Sequence, residues 1–445
     1  MRRLLVIADG FPPMGGSGVQ RTTKFVKYLP EFGWRACVLT GDPERDGFPW
    51  IDRTLLSEIP ESTEVVRVPY WNPAERVFGR RWKQGGGVPA LSTPTESPPP
   101  GRAGFVRRAV RGLRRSLLAP VGDKHFYWAR RARRPAMKLA RRTGAEAVYA
   151  TASPYTSLLL GLWLKKRTGL PLVVDFRDPW TRFDPSRAHG FFFRVNRFFE
   201  RRVLRGADRI ICNHEPMRLD FERIEPSCRG RCTVLPNGFD ASDFAGVSPV
   251  DPGRSLTHVG FAWEDTPQPV LRALAALKAR GALPPAFRVR FIGGLPASSL
   301  RMIENLGLEE LVRVEPRVEH ALAIAAMRSA ACLLLLLVRS EAGRKWYPGK
   351  MFEYMAAGRP ILCVAPSGIA ADLVREADCG LALEPGDTAG IERAIEEFAR
   401  DPEVWTARHY APRQEVIERF DRRRLTERLA AVLDDIAEQK GESKA

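Results

Sequence analysis

A lysine and a glutamate stand at a spacing that suits a nucleoside diphosphate in the segment 346–360, WYPGKMFEYMAAGRP. Its prolines and glycines predict a helix that starts at Gly349 and ends before Gly358. A diphosphate at that start would meet free backbone N–H groups and the charge of Lys350. Glu353 lies one turn further along, where its carboxylate can accept both hydroxyls of a ribose. The alternative is an ordinary Lys350–Glu353 pair on a solvated helix.

Glycines also follow the first predicted strand, in the segment Ala8–Arg21, which opens a helix. Gly15 and Gly16 would let backbone N–H groups approach an anion at the helix N-terminus, so we predict that both bind the nucleotide ligand. The segment is neither a Walker loop nor a dinucleotide fingerprint. A plain strand-to-helix loop is the alternative.

A third polar group, Asp175, Arg177 and Asp178, stands at the carboxyl end of the apolar run Leu172–Phe176. Ligands of open parallel sheets bind at that edge, so these three residues are the catalytic candidates. The alternative is helix capping by Asp178 together with an Arg177 salt bridge.

The elements that must position these residues alternate between short apolar strands and amphipathic helices over most of the chain. Continuously apolar strands indicate parallel sheets covered on both faces. We therefore predict an α/β fold with two doubly wound, Rossmann-like domains facing a cleft. The predicted N-terminal domain spans 1–240 and the C-terminal domain 250–410. Residues 411–445 form a tail whose helix, Arg413–Gln439, packs back on the first domain.

These segments, in this order, resemble glycosyltransferase family 4, whose members have the GT-B fold. The donor helix of that family usually ends in the pattern E-A-x-A-x-G-x-P, and Glu353–Pro360 follows it closely. The similar segments comprise the glycine loop, the hinge, the donor helix and the closing strand with its loop: 8–21, 234–240, 346–360 and 374–387. The resemblance covers nearly the whole chain except about residues 75–125.

The resemblance implies an acceptor on the first domain, a nucleotide-sugar donor on the second, retention of anomeric configuration, and catalysis without cofactor or metal. Two departures concern the donor. Lys345 stands where the family often has a glutamate, and the loop Gly260–Asp265 lacks the family's bases. The cations left for the diphosphate are Arg344, Lys345 and Lys350. The family's functional histidine near Asp178 is also missing, so Asp178 or Asp175 is expected to orient the acceptor hydroxyl.

The charge of the chain is +18 and uneven, since Gly101–Arg142 holds fourteen Lys or Arg and one acid. Within it, 105–118 predicts a basic amphipathic helix after a mobile loop, 83–104. This pattern favours peripheral attachment to an anionic membrane. The Phe-rich segment Gly190–Arg205 is a second amphipathic candidate, with packing on its own domain equally favoured.

Seven cysteines without a metal-binding or pairing pattern indicate reduced thiols in a cytoplasmic protein. No apolar run is long enough to span a bilayer. The predicted protein is thus a glycosyltransferase at the inner face of the cell membrane. Its acceptor would be a sugar or lipid-linked precursor of an envelope polysaccharide. A nucleotide-sugar epimerase of the same fold is the alternative, and a nucleic-acid-binding protein ranks lower because aromatic–basic interleaving and DNA-binding signatures are missing.

Overall fold

The computed structural model describes residues 1–48, 50–71, 123, 125–181, 190–247, 255–263 and 265–442. The chain forms two compact units. The first consists of Met1–Leu235 together with the chain from Thr426 onward, and the second of Pro236–Leu425. The predicted loop 83–104 and basic helix 105–118 lie outside the described residues.

The first unit is built on a seven-stranded sheet in the order β3-β2-β1-β4-β5-β6-β7, in which every pairing is parallel. Strands β4 and β5 have no exposed residue, because helices cover both of their faces. The strands are β1 Arg2–Ile7, β2 Trp34–Gly41, β3 Glu64–Val68, β4 Ala147–Ala152, β5 Leu172–Phe176, β6 Arg209–Cys212 and β7 Cys232–Val234.

Six helices belong wholly to the described part of this unit: α1 Ser17–Tyr28, α2 Phe126–Arg131, α3 Arg133–Thr143, α4 Thr156–Thr168, α5 Phe191–Gly206 and α6 Glu215–Ile224. From β1, the chain adds strands β2 and β3 on one side of the sheet and then adds β4 to β7 on the other side. The position between β1 and β4 is therefore the topological switch point, where open α/β sheets bind ligands.

The second unit has a six-stranded sheet in the order β10-β9-β8-β11-β12-β13, again parallel throughout. Its central strand β11 is wholly buried. The strands are β8 Ser255–Val259, β9 Arg288–Ile292, β10 Val312–Glu315, β11 Cys332–Leu336, β12 Ile361–Val364 and β13 Gly380–Leu383. The prediction of two parallel, doubly wound sheets is thereby confirmed.

The helices described in the second unit are α7 Gln268–Ala279, α8 Ala297–Asn305, α9 His320–Arg328, α10 Glu341–Arg344, α11 Gly349–Ala356, α12 Ile369–Glu376, α13 Thr388–Arg400, α14 Pro402–His409 and α15 Gln414–Ile417. Helix α11 has the bounds that its glycines predict. It buries Met351, Phe352, Tyr354 and Met355 against the unit's core.

The last helix, α16 Arg422–Glu442, returns to the first unit from Thr426 onward. Its buried residues Leu429, Leu433 and Ile436 repeat at helical spacing. Asp434 accepts hydrogen bonds from Arg2 at 2.8 Å and from the Trp34 indole at 3.0 Å.

The packing of this helix on the first unit is thus confirmed, whereas its predicted start at Arg413 is wrong. A short helix, α15, and the 3₁₀ turn Glu418–Phe420 precede it. Among the described residues, no helix combines the length and the apolar composition needed to cross a bilayer.

Candidate active site

Helix α11 is fixed to the first strand of the second unit by Tyr354, whose hydroxyl accepts a hydrogen bond from the Val259 backbone N–H at 2.7 Å. Pro348 precedes the helix in an extended conformation and offers no side-chain cap. In the first turn, the Met351 N–H donates to the Pro348 carbonyl at 3.0 Å, and no hydrogen bond between described residues uses the N–H groups of Gly349 and Lys350. These two N–H groups are available to an anion, as the sequence predicts.

Lys350 contacts His258, which was not predicted from the sequence. The Lys350 Nζ lies 2.9 Å from His258 Nε2, and the other ring nitrogen, Nδ1, lies 2.8 Å from the Leu334 carbonyl. Since a carbonyl can only accept, Nδ1 carries the proton and Nε2 accepts from the ammonium. His258 is therefore a positioning residue for Lys350.

Burial sets the protonation of both groups. It holds the pKa of the His258 ring well below its ordinary range, and the charge of Lys350 adds to this effect. Burial also lowers the pKa of Lys350 to about 7, against the opposing influence of Glu353. The pair therefore consists of a neutral imidazole and an ammonium that titrates near neutral pH.

Two glycines leave room for this ammonium at the carboxyl ends of β8 and β9. A Cβ on Gly260 would lie 3.1 Å from Lys350 Nζ, and one on Gly293 would lie 2.8 Å from the Gly260 carbonyl carbon. Both glycines have positive φ, at 96° and 119°. The loop after β8 carries the exposed Phe261 and Trp263 instead of bases, with ring centroids 5.4 Å apart.

Glu353 lies on α11 one turn after Lys350, largely buried, with 18% of its side chain exposed. Its Oε1 lies 3.9 Å from Nδ1 of His320, whose Nε2 is 3.1 Å from an oxygen of Asp243. Burial raises the pKa of Glu353, and His320 opposes that shift. A largely buried carboxylate that keeps this small exposed fraction is suited to accept hydroxyl groups from a ligand.

The other two predicted donor cations have different contacts. Lys345 Nζ pairs with Glu341 at 2.8 Å, and Arg344 donates to the Ser367 carbonyl at 3.2 Å. No hydrogen bond or ion pair between described residues links either side chain to Lys350. Their part in donor binding stays a prediction.

In the first unit, Gly16 caps α1 with φ 119°, a conformation that favours glycine. Gly15 donates its N–H to the Trp50 carbonyl at 2.9 Å, and this bond holds the glycine loop against the segment that follows β2. The helix has no acid in its first turn. Both glycines belong to the first unit and Lys350 to the second, and donor binding by the glycines stays a prediction.

Asp175 does not occupy the position expected of a residue that touches substrate. Its side chain is completely buried, and Arg21 binds it through Nε at 2.8 Å and Nη2 at 3.0 Å. The hydroxyl of Tyr149 also donates to it. Asp175 therefore neutralises a buried arginine and stabilises the start of α1 against β5.

Arg177 is held by backbone carbonyls. Its Nε donates to Ala152 O at 2.5 Å and its Nη2 to Ser153 O at 2.7 Å. A Cβ on Gly18 would lie 1.3 Å from Nη1, so the guanidinium packs directly on the first turn of α1. No carboxylate among the described residues pairs with it, and the expected salt bridge is not seen there.

Asp178 lies just beyond β5 and is partly exposed. Burial raises the pKa of its carboxyl, and Arg177 opposes that shift. The turn is fixed by Tyr155, which stacks on Trp180 at 4.9 Å and donates to the Pro179 carbonyl at 3.0 Å. None of the described helices begins at Asp178, so capping does not account for it there.

A histidine that the sequence did not indicate lies near the same edge of the sheet. His125 Nδ1 is 3.0 Å from an oxygen of Asp9, which follows β1, and the His125 backbone N–H donates to Asp123. Asp123 in turn accepts from the backbone and hydroxyl of Thr156, both at 2.9 Å. In the sequence, Asp9 could have been identified as a candidate site residue by its position directly after the first strand.

Similar solved structures share the fold. HepE from Anabaena, solved with UDP-glucose, superposes with a TM-score of 0.61 at 16% identity, over 98% of this chain and all of HepE (100%). A glycosyltransferase from Rickettsia africae gives 0.60 at 11% identity, covering 98% of each chain. WaaG, a glycosyltransferase involved in lipopolysaccharide biosynthesis, gives 0.52 at 15% identity, covering 96% of this chain and 99% of WaaG.

No curated protein matches the sequence. Two family models match consecutive parts of the chain and together cover more than half of it. They are Glycosyltransferase Family 4, over residues 79–243, and Glycosyl transferases group 1, over 253–401. With two parallel sheets of seven and six strands, the chain has the GT-B fold. It belongs to glycosyltransferase family 4 and is a glycosyltransferase.

Proposed function

We propose that this enzyme transfers a sugar from a nucleoside diphosphate sugar, bound by the second unit, to an acceptor bound by the first. The observation that carries the proposal is the placement of Lys350. Its ammonium is held 2.9 Å from a neutral imidazole, on the first turn of a helix whose N-terminus has no side-chain cap. The binding of UDP-glucose by HepE, which shares the fold, supports this class of donor.

In the proposed complex, the diphosphate lies at the first turn of α11 and its charge is met by Lys350. Glu353 accepts the ribose hydroxyls. As the bond between the sugar and the diphosphate breaks, the leaving group gains negative charge, and the ammonium and helix N–H groups stabilise it. Asp178, on the turn after β5, orients the hydroxyl that forms the new glycosidic bond.

The proposed acceptor is a lipid-linked or envelope polysaccharide precursor at the inner face of the cell membrane. The cationic segment Gly101–Arg142 and the fold shared with WaaG support it. Retention of anomeric configuration and independence of metal ions complete the proposal, through the family resemblance. Full activity in excess EDTA and product analysis by NMR test these two points.

Donor binding is tested by thermal shift with a panel of UDP-, GDP- and ADP-sugars. One donor should stabilise the native enzyme, and Lys350→Ala should lower its affinity by roughly 10- to 100-fold, because a charge-assisted contact is lost. Lys278→Ala, which removes an exposed lysine of the same unit, is the matched control. Equal affinities in native enzyme and Lys350→Ala would contradict the assignment. Turnover of the donor without any acceptor would indicate an epimerase instead.

Membrane attachment through 105–118 is tested by co-sedimentation with anionic and neutral vesicles at low and high salt. Binding should need anionic lipid and weaken with salt, because salt screens the attraction. Replacing Arg107, Arg108, Arg111, Arg114 and Arg115 with Gln should release the protein. Equal binding to both vesicle types, or binding to neither, would refute the membrane proposal while leaving donor binding untouched.

A further inference from the structure

Helix α5 presents two large apolar side chains to solvent. Phe191 is 73% exposed and Phe198 is 59% exposed, among the largest exposures of any apolar side chain described in the chain. Arg194 and Arg202 continue the same stripe at spacings of three and four residues, and both are exposed. We call these four residues the α5 stripe. Exposed phenylalanines in such a row indicate a surface that binds something.

The opposite face of α5 explains why the stripe faces outward. Val203, Leu204 and Glu200 are buried on that face. Glu200 accepts hydrogen bonds from the backbone and hydroxyl of Thr181. The helix is therefore fixed in rotation by both apolar and polar contacts, and the stripe cannot turn inward.

The groove beside the stripe combines apolar and basic residues. It has a volume of about 690 Å³, and Leu162, Phe193 and Phe198 form its apolar wall. Every charged residue that lines it is a lysine or an arginine. Arg201 and Arg205 are partly neutralised by Glu225, at 3.2 and 2.8 Å, whereas Arg194 and Arg202 form no ion pair with any described residue.

The chemistry of this face matches an anionic bilayer surface. Phenyl rings insert at the boundary between headgroups and acyl chains, and arginines beside them contact lipid phosphates. An acid on the outer face would oppose such contact, and the only acid of α5, Glu200, is on the inner one. The stripe runs about 16 Å along the helix, so it can lie in the plane of the interface.

The same helix holds the turn that bears Asp178. The Trp180 indole donates to Asn196 of α5 at 2.8 Å, and Thr181 is bound to Glu200. We propose that the α5 stripe docks on an anionic phospholipid bilayer and so sets the Asp178 turn beside the lipid surface. This inference rests on the proposed membrane function and adds a second contact surface, independent of residues 105–118.

The experiment is co-sedimentation of the full chain with vesicles of phosphatidylcholine alone, or with phosphatidylglycerol added. Each basic residue at such a surface contributes about fivefold in binding, so Arg194→Gln/Arg202→Gln should weaken partitioning about 30-fold. Phe191→Ser/Phe198→Ser should weaken it at least about tenfold. The matched controls, Arg313→Gln/Arg393→Gln and Leu322→Ser/Val404→Ser, alter exposed residues of the second unit and should bind as the native protein does.

The outcomes separate the proposals. Native binding by both stripe variants, in a protein that itself binds anionic vesicles, would overturn the role of α5 and leave the membrane function standing. No vesicle binding by the native protein would overturn both, while donor binding in the thermal-shift assay would still support glycosyl transfer. If the native protein bound an oligonucleotide or an acidic peptide but no vesicles, and the stripe variants lost that binding, the stripe would be assigned to that partner instead.

Discussion

Lys350 Nζ lies 2.9 Å from Nε2 of His258, although 92 residues separate them in the chain. The Leu334 carbonyl fixes the histidine tautomer, so the imidazole can only accept from the ammonium. Lys350, which we propose binds the diphosphate, is thus positioned by a neutral histidine. That histidine adds no charge that would repel or attract the ligand.

Donor affinity should depend on pH through Lys350. Its pKa is about 7, and a bound diphosphate favours the charged form, so affinity should be highest below that pH. Above it, affinity should fall by up to about tenfold per pH unit. His258 stays neutral throughout and adds no second transition. Calorimetry with the selected nucleotide sugar measures this profile, and Lys350→Arg, whose charge persists, should make it flat.

Replacing His258 should shift that profile. His258→Phe keeps a buried ring but removes the acceptor, so it should weaken donor binding about 5- to 30-fold. It should also move the midpoint of the pH profile downward, because the ammonium loses a hydrogen bond that favours its charged form. His258→Gln, which retains an acceptor, should recover part of both losses. An unchanged midpoint in His258→Phe would limit His258 to packing.

Glu353 should distinguish ribonucleotides from deoxyribonucleotides. Glu353→Gln should weaken binding of the ribonucleotide about 5- to 20-fold, because the charged acceptor for the ribose hydroxyls is lost. The 2′-deoxy counterpart, which lacks one of those hydroxyls, should lose less. Glu397→Gln, at an exposed residue paired with Arg408, is the control. Equal losses for the two nucleotides would contradict a ribose contact.

Asp178 should govern turnover more than donor binding. Asp178→Asn should lower kcat by at least about tenfold and leave the donor dissociation constant within about twofold. Since burial raises the pKa of this carboxyl, native turnover should be lost as the pH falls through that raised value. That acidic limb should disappear in the variant. A fully active Asp178→Asn enzyme would exclude the role in transfer.

Asp434 should contribute to stability through the fully buried Trp34 indole. Asp434→Leu leaves the Trp34 N–H without its acceptor, which should cost about 1–3 kcal/mol in the free energy of unfolding. Asp434→Asn keeps an acceptor oxygen and should lose less than about 1 kcal/mol. Urea unfolding followed by tryptophan fluorescence measures both. Equal losses would show that the charge, and not the hydrogen bond, is what matters.

The architecture followed from the sequence because its strands are continuously apolar, as in Leu172–Phe176, and its helices are bounded by glycine and proline, as at Gly349 and Gly358. Contacts between residues that are distant in the chain could not be predicted from the sequence. The Lys350–His258 pair depends on the pairing of β8 with β11, which no local pattern specifies.

Asp175 illustrates the same limit in the first unit. A carboxylate at a strand end suggests a site, but Asp175 is inside β5, where the strands and helices around it decide its partner. That partner, Arg21, lies on α1, 154 residues earlier in the chain. Asp178 differs because it lies two residues past the end of the strand and is partly exposed.

The return of α16 to the first unit has a consequence for how the protein is made. The ribosome delivers the seven strands of the first sheet, then the whole of Pro236–Leu425, and only afterwards the helix that carries Asp434 and Asp435. Until then, Arg2, Trp34 and Arg209 lack the carboxylate partners that α16 supplies in the finished protein. The second unit emerges as one uninterrupted stretch, so it can fold before the helix that completes the packing of the first unit has been synthesised.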